Sequence, residues 1–148
     1  MDAIGWITGH KWVRPLYART WNAFADHAPD FHDCAQCVGE LDNGANVMAD
    51  VSYAAPAPKG FLTPAYWRFN LWGTKGFAEC CYGGDQITLM QTGDLKPCTV
   101  KASYPVTSTC LTDFLKEVHG FPTDFPPNSV LESSRAALQL QQYADQKG

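Results

Sequence analysis

The pattern of apolar and polar positions divides the chain into a short helix, a long middle of strands and two helices at the end. Residues 2–8 predict the tail of a helix, because apolar positions recur there and Gly9 allows a left-handed exit. About seven strands follow between Lys11 and Lys101, and their short connections favour antiparallel pairing. The predicted fold class is α+β, a largely antiparallel sheet of about seven strands with helices on one face.

The first hairpin is predicted around Asp42-Asn43-Gly44, between two alternating runs. A two-residue loop would mix small apolar and acidic residues on one face. A three-residue loop with Gly44 left-handed pairs Leu41 with Ala45 and makes one face uniformly small and apolar. We therefore predict the three-residue loop, with a helix lying closely on the small face. The other predicted pairs are Gly39 with Val47, Cys37 with Ala49 and Ala35 with Val51.

The same reasoning predicts a second hairpin within residues 66–79, with the loop Thr74-Lys75-Gly76 and a left-handed Gly76 that pairs Gly73 with Phe77. Its first strand has two faces of different character. The predicted faces are Trp67, Phe69 and Leu71 on one side, and Tyr66, Arg68, Asn70 and Trp72 on the other.

Two more strands are predicted earlier in the chain. Residues 11–22 predict a strand in which Pro15 indicates an edge or a bulge, and residues 31–41 predict another strand.

The last third of the chain changes to a helical period. An amphipathic helix is predicted before Gly120, with Ser108 or Thr109 as its N-cap. Its apolar stripe consists of Leu111, Phe114, Leu115 and Val118. A second helix is predicted after the proline-rich stretch 121–127, capped by Asn128.

Composition narrows the possible functions. The length of 148 residues fits a single domain, residues 1–148. The net charge of −4 and scattered basic residues argue against nucleic-acid binding. The sequence has no apolar leader and no stretch long enough to span a membrane. These features predict a soluble cytoplasmic protein.

The six cysteines are too few and too irregularly spaced for a disulfide scaffold, which favours a reducing compartment. Cys34 and Cys37 have the spacing of a metal or redox pair. In an extended strand, however, residues three apart face opposite sides and lie about 10 Å apart. Cys80-Cys81 falls in another strand, and the four histidines show no ligand spacing. We therefore predict no metal site.

Four motifs in order give the chain a family resemblance: Asp-Ala-Ile-x-Trp-Ile-Thr-Gly, Asp-Asn-Gly-Ala, Tyr-Trp-Arg-Phe-x-x-Trp-Gly-Thr-Lys-Gly and Asn-Ser-x-x-Glu-Ser-Ser-Arg-Ala-Ala-Leu. The chain resembles the C-terminal domain of the Gfo/Idh/MocA family of NAD(P)-dependent sugar and cyclitol dehydrogenases. The family's N-terminal Rossmann domain holds the dinucleotide on a glycine-rich turn, which this sequence lacks. The resemblance therefore implies no cofactor in this chain and NAD or NADP in a parent enzyme.

The resemblance also implies where catalytic groups belong. The family's catalytic lysine, in a Glu-Lys-Pro motif, is absent, and its catalytic histidine would precede Met1. Asp2 matches the aspartate three residues after that histidine, where it would hold the imidazole in a complete enzyme. We expect no activity from the chain alone.

Substrate-binding candidates are Tyr66 and Arg68, which share a face where a strand begins; packing of the arginine on neighbouring aromatics is the simpler explanation. The resemblance implies the parent's Rossmann domain as one partner. Helices can cover only one sheet face, so a second copy bound through the exposed face is expected as the other. Two other hypotheses are a non-catalytic association or ligand-binding module and a thiol-dependent metal or redox protein.

Overall fold

The computed structural model describes residues 2–54, 67–102, 109–123 and 129–147. Within these ranges lie three helices and seven strands, in agreement with the predicted α+β class. The elements are α1 (Asp2–Thr8), β1 (Trp12–Trp21), β2 (Cys34–Leu41), β3 (Asn46–Ser52), β4 (Arg68–Gly73), β5 (Gly76–Cys81), β6 (Gln86–Gln91), β7 (Cys98–Lys101), α2 (Cys110–Val118) and α3 (Ser129–Lys147).

The chain folds as two compact units, the first made of Met1–Ala55 and Ser108–Gly148 and the second of Pro56–Thr107. The described strands form two separate antiparallel sheets, not the one predicted. The first sheet has the order β1-β2-β3 and the second the order β4-β5-β6-β7. Each sheet lies within one unit.

The first strand is an edge strand with bulges, as Pro15 predicts. The pairing of β1 with β2 shifts register between Trp12 and Arg14 and again between Pro15 and Tyr17. Leu16 lies in the second bulge, and its carbonyl accepts a hydrogen bond of 2.9 Å from the Tyr143 hydroxyl of α3. This hydrogen bond connects α3 to the bulged part of β1.

The hairpin of β2 and β3 has the predicted register. The Leu41 amide donates to the Ala45 carbonyl at 2.9 Å, and Gly44 has φ +79°. The predicted pairs Gly39 with Val47, Cys37 with Ala49 and Ala35 with Val51 are all present. The strand begins at Cys34, three residues later than predicted, because Phe31 and His32 lie in the preceding loop.

Small residues fill the contact between α3 and the first sheet. Ala18 of β1 and Ala136 and Ala144 of α3 are buried. Beside them, Cys37 and Ala49 line a pocket of about 190 Å³ along the same helix. The small face of the hairpin therefore lies next to a helix, as predicted, since only short side chains allow helix and sheet backbones to approach closely.

The second hairpin has a different register from the predicted one. Gly73 pairs with Gly76, so the loop is Thr74-Lys75, and Trp72 pairs with Phe77. Gly76 has φ +148°, a positive value but not the left-handed helical turn that we predicted. A Cβ at Gly76 would overlap the Met90 carbonyl of β6, so the glycine is required by the close approach of a third strand.

The observed register places apolar residues opposite one another. Phe69 pairs with Cys80 and Leu71 with Ala78, and the face continues through β6 and β7. Trp67 departs from the predicted face, because it precedes β4 and has φ +47°.

Helix α2 begins as predicted at Thr109, whose hydroxyl accepts from the Thr112 amide in a capping box. Gly120, with φ +73°, follows its end. Its apolar stripe is exposed to solvent: Leu111, Phe114, Leu115 and Val118. Ser108 and Asn128, the other predicted caps, lie outside the described residues. No helix in the described ranges is both long and apolar enough to cross a membrane.

Candidate functional site

Asp2 lies at the rim of a cleft of about 690 Å³ in the first unit. The cleft runs between α1, the first residues of β1 and α3, and its size is typical of small-molecule sites. Asp2 itself is exposed. The polar side chains that line the cleft with it are His10, Lys11, Ser129, Glu132, Ser133, Arg135 and Gln139.

Two contacts join the walls of this cleft. The Trp12 indole N–H donates to Oε1 of Gln139 at 2.9 Å, and Nζ of Lys11 lies 3.8 Å from Oε1 of Glu132. Both contacts connect β1 or its approach to α3. An exposed ion pair such as Lys11–Glu132 contributes little stability.

His10 contacts a carboxylate beside the cleft. Its Nδ1 lies 2.9 Å from Oδ1 of Asp42 in the β2–β3 loop. The pKa of Asp42 lies below its ordinary value, first because the Lys11 amide donates to its carboxylate and then because of His10. The carboxylate can therefore orient the imidazole at the cleft mouth.

Arg68 lies in the second unit, at the start of β4, while Tyr66 lies outside the described residues. Nη1 of Arg68 is 3.8 Å from Oε1 of Glu79 on the adjacent strand. Asp2 and Arg68 thus belong to different units. The predicted packing of Arg68 on neighbouring aromatic side chains stays a prediction.

Trp67 and Tyr82 form an aromatic pair at the same end of the second sheet. Their ring centroids are 5.7 Å apart with planes tilted by 51°, and the Tyr82 amide donates to the Trp67 carbonyl at 3.1 Å. A positive φ at a bulky residue costs about 1–3 kcal/mol, and such strain clusters at functional sites. The sequence pattern places Trp67 with Phe69 and Leu71 and singles out neither Tyr82 nor Glu79. In the observed register Arg68 and Glu79 share the sheet face opposite to Phe69 and Cys80, whereas the predicted three-residue loop would have paired Glu79 with Leu71.

Two of the described thiols have a raised pKa, which lowers their reactivity. Burial raises the pKa of Cys37, and burial followed by the charges of Cys81 and Glu79 raises the pKa of Cys80. Within the described ranges, no group of three or more His, Cys, Asp or Glu side chains could hold a metal ion. Cys34 and Cys37 lie in one strand, and Cys34 contacts Ser52 while Cys37 lines the pocket beside α3.

The part of the chain that the structure describes does not form a dinucleotide cradle. Such a cradle needs a glycine-rich turn that joins a strand to a helix. Gly73 and Gly76 flank the turn between β4 and β5, while Gly83 and Gly84 lie between β5 and β6. All four glycines join strand to strand, so no cofactor step is assigned to these residues.

Solved structures with the same fold indicate what kind of protein carries it. An oxidoreductase from Thermotoga maritima, described only in general terms, matches 99% of this chain with a TM-score of 0.76 and 24% identity. The UDP-N-acetylglucosamine 3-dehydrogenase GnnA from Acidithiobacillus ferrooxidans matches 96% with a TM-score of 0.67 and 18% identity. The aldose-aldose oxidoreductase from Caulobacter crescentus matches 99% with a TM-score of 0.64 and 17% identity.

This is the fold of the C-terminal domain of Gfo/Idh/MocA-type oxidoreductases. The chain spans only 42% of the Thermotoga protein and 43% of each of the other two. No protein-family model matches the sequence, and no curated protein is similar enough to count as a relative. The likeness therefore establishes the fold of a domain that makes up less than half of these oxidoreductases.

Proposed function

We propose that this chain is the substrate-binding and association domain of an NAD(P)-dependent dehydrogenase that oxidises a carbinol of a sugar or cyclitol. The observation that carries the proposal is the extent of the match: nearly all of this chain corresponds to under half of three oxidoreductases. Two of those proteins are named for sugar substrates, a UDP-N-acetylglucosamine and an aldose. Such a domain supplies substrate contacts and leaves the dinucleotide to a Rossmann domain.

The proposal gives each predicted site residue a role in the complete enzyme. Asp2 holds the catalytic imidazole at the start of α1, in keeping with its exposed position at the rim of the cleft. Arg68 and Tyr66 bind substrate hydroxyls, and Glu79 shares this task through its contact with Arg68. A nicotinamide held by the Rossmann domain of the complete enzyme would supply the hydride chemistry, and the catalytic lysine and histidine of that enzyme would take the hydroxyl proton.

A titration of the purified chain with NADH, monitored by nicotinamide fluorescence, tests whether this domain leaves dinucleotide binding to another domain. We expect no saturable binding, because the described residues form no phosphate cradle. Saturable binding at micromolar NADH would overturn the proposal. A shift of the thermal midpoint by millimolar sugar or cyclitol, without a shift by NADH, would support it, since only a bound ligand stabilises the folded state.

The proposal includes a homo-oligomer formed through a sheet. The face of the second sheet that holds Phe69 and Leu71 is only half-buried, and Val100 at its edge is exposed. Apolar area of this kind is typical of interfaces. Light scattering at micromolar concentration tests the association, and a strictly monomeric mass would refute it. We also propose a cytoplasmic location, supported by the free thiols of Cys34, Cys37, Cys80, Cys81 and Cys98.

A further inference from the structure

The cleft of the first unit has walls of different chemical character. Helix α1 contributes Ile4, Gly5 and Trp6, and one side of α3 contributes most of the polar groups. The α3 residues that line the cleft are Ser129, Glu132, Ser133, Arg135, Ala136 and Gln139. A ligand in the cleft can therefore contact hydrocarbon on α1 and hydrogen-bonding groups on α3, a combination that is typical of small-molecule sites.

The Ser129 hydroxyl is a buried polar group without a hydrogen bond. Ser129 lines the cleft at the start of α3, and its Oγ is buried with no hydrogen-bond partner in the described part of the chain. Ser133, one turn further along, differs, because its hydroxyl donates to the Val130 carbonyl at 3.0 Å. Buried hydroxyls are nearly always hydrogen-bonded, since an unpaired one costs the free energy of its lost hydration. A ligand in the cleft can supply the missing partner.

Arg135 brings a charged group to the cleft that no other side chain engages. It is exposed, and among the described residues it forms no ion pair and no hydrogen bond. The other basic side chains of the cleft have carboxylate neighbours: Nζ of Lys11 lies 3.8 Å from Glu132, and Nδ1 of His10 lies 2.9 Å from Asp42. The N–H donors of the Arg135 guanidinium are therefore available to a ligand.

We propose that the cleft binds a neutral ring with several hydroxyl groups, a pyranose or a cyclitol, through the Ser129 hydroxyl and the Arg135 guanidinium. The charges that line the cleft balance, since Lys11 and Arg135 are matched by Asp2 and Glu132, which favours an uncharged ligand over a phosphate or a carboxylate. Ring hydroxyls both donate and accept, so one can pair with Ser129 while another accepts from Arg135. The inference rests on the proposed function and names residues of the first unit that determine its specificity.

The test is a ligand-observed NMR titration of the purified chain with D-glucose, N-acetyl-D-glucosamine and myo-inositol. Arg135→Ala is expected to weaken binding of the preferred compound about tenfold, because a charge-assisted hydrogen bond is lost. Ser129→Ala is expected to weaken it about threefold without lowering the thermal midpoint of the ligand-free chain, because the folded chain loses no hydrogen bond. Ser134→Ala is the matched control, since Ser134 is an exposed serine of the same helix that does not line the cleft.

The outcomes separate this inference from the proposed function. Weaker binding in Arg135→Ala and Ser129→Ala, with Ser134→Ala unchanged, supports the site. Binding that is unchanged in both cleft variants overturns the site and leaves the substrate role of the domain standing. Equal weakening in Ser134→Ala also overturns the site, because the effect is then not confined to the cleft. If none of the three compounds binds the unmodified chain, both the site and the substrate role are refuted.

Two further measurements check the chemistry of the site. A lower ligand-free midpoint in Ser129→Ala would overturn the assignment of its hydroxyl to a ligand, because that hydroxyl would then have a partner within the chain. Tighter binding of inorganic phosphate than of the three ring compounds would overturn the choice of a neutral ligand. Circular dichroism identifies any variant that fails to fold, and Arg135→Lys then replaces Arg135→Ala, with weaker binding expected because the planar guanidinium is lost.

Discussion

The indole ring of Trp12 lies directly on Gly39 of the neighbouring strand. A Cβ at Gly39 would overlap the ring, so a glycine is required for Trp12 to reach Gln139 of α3. The two residues are not opposite each other, since Trp12 pairs with Leu41 and Gly39 pairs with Pro15. An aromatic ring over a strand glycine restores the packing that the missing side chain would otherwise provide.

Gly39→Ala is therefore expected to destabilise the chain by about 1–3 kcal/mol, because the added methyl group displaces the indole and breaks its bond to Gln139. Urea unfolding measures the change. Gly73→Ala is the matched control, since its Cβ would meet a carbonyl at an ordinary 3.8 Å. In a double-mutant cycle, Trp12→Ala should abolish most of the cost of Gly39→Ala, and additive costs would contradict the contact.

Gly76→Ala is expected to disrupt the second sheet. The substitution combines an unfavourable positive φ with overlap between the new methyl group and the Met90 carbonyl. Because the obstacle is backbone of β6, it cannot move as a side chain would, and we expect a loss above about 2 kcal/mol. Amide hydrogen exchange should show faster exchange in β5 and β6. Unchanged protection there would contradict the close approach.

Tyr143→Phe removes the hydrogen bond from α3 to the Leu16 carbonyl in the β1 bulge. The expected cost is about 0.5–1.5 kcal/mol, the usual net value of one hydrogen bond. Thermal unfolding measures it, with Tyr17→Phe as the control, since Tyr17 follows the same bulge and its side chain is exposed. An equal effect in the two variants would show that the hydroxyl of Tyr143 has no special role.

Asp33 links stability to pH. It is 2% exposed, and its two carboxylate oxygens each accept a backbone N–H at 2.8 Å, from Ala23 and Phe24. Burial opposes its ionisation, but these bonds, with further ones from Cys34 and Ala25, hold its pKa below the ordinary value of 3.8. The unfolded chain therefore takes up the proton first as the pH falls.

The contribution of Asp33 is thus fully present above the unfolded pKa, near pH 4, and is lost as the pH falls through the lower folded pKa. Asp33→Asn is expected to lower the thermal midpoint at pH 7 and to flatten its decline below pH 4. Asp30→Asn, an exposed carboxylate nearby, serves as the control. A pH profile for Asp33→Asn that parallels that of the unmodified chain would rule out the linkage.

We expect the rate of thiol labelling to decrease as the burial of the cysteine increases. Iodoacetamide at pH 8 is expected to modify the exposed Cys98 before the buried Cys34 and before Cys37, whose pKa is raised by burial. Peptide mass spectrometry gives the order. Fastest labelling at Cys37 would instead indicate an activated thiol and would restore the redox hypothesis.

The local pattern determined more of this fold than of its candidate sites. The β2–β3 register followed from sequence because alternation and the loop glycine agreed: Gly44 in the loop and small residues at every second position select the same pairing. In the second hairpin the two signals disagreed. Gly76 favoured a longer loop, whereas pairing of Leu71 with Ala78 required the shorter one, and cross-strand packing prevailed.

Three features required the tertiary structure. The division of seven strands into two sheets, the position of Gly76 against Met90, and the meeting of Trp67 with Tyr82 all depend on contacts between segments that the local period does not relate. The sequence by itself determined the order and type of the elements and the register of the β2–β3 hairpin, because these follow from backbone periodicity and turn chemistry. The tertiary structure decided which surfaces approach closely enough to exclude a Cβ and which aromatic rings meet, because those outcomes depend on distances between strands and not on spacing along the chain.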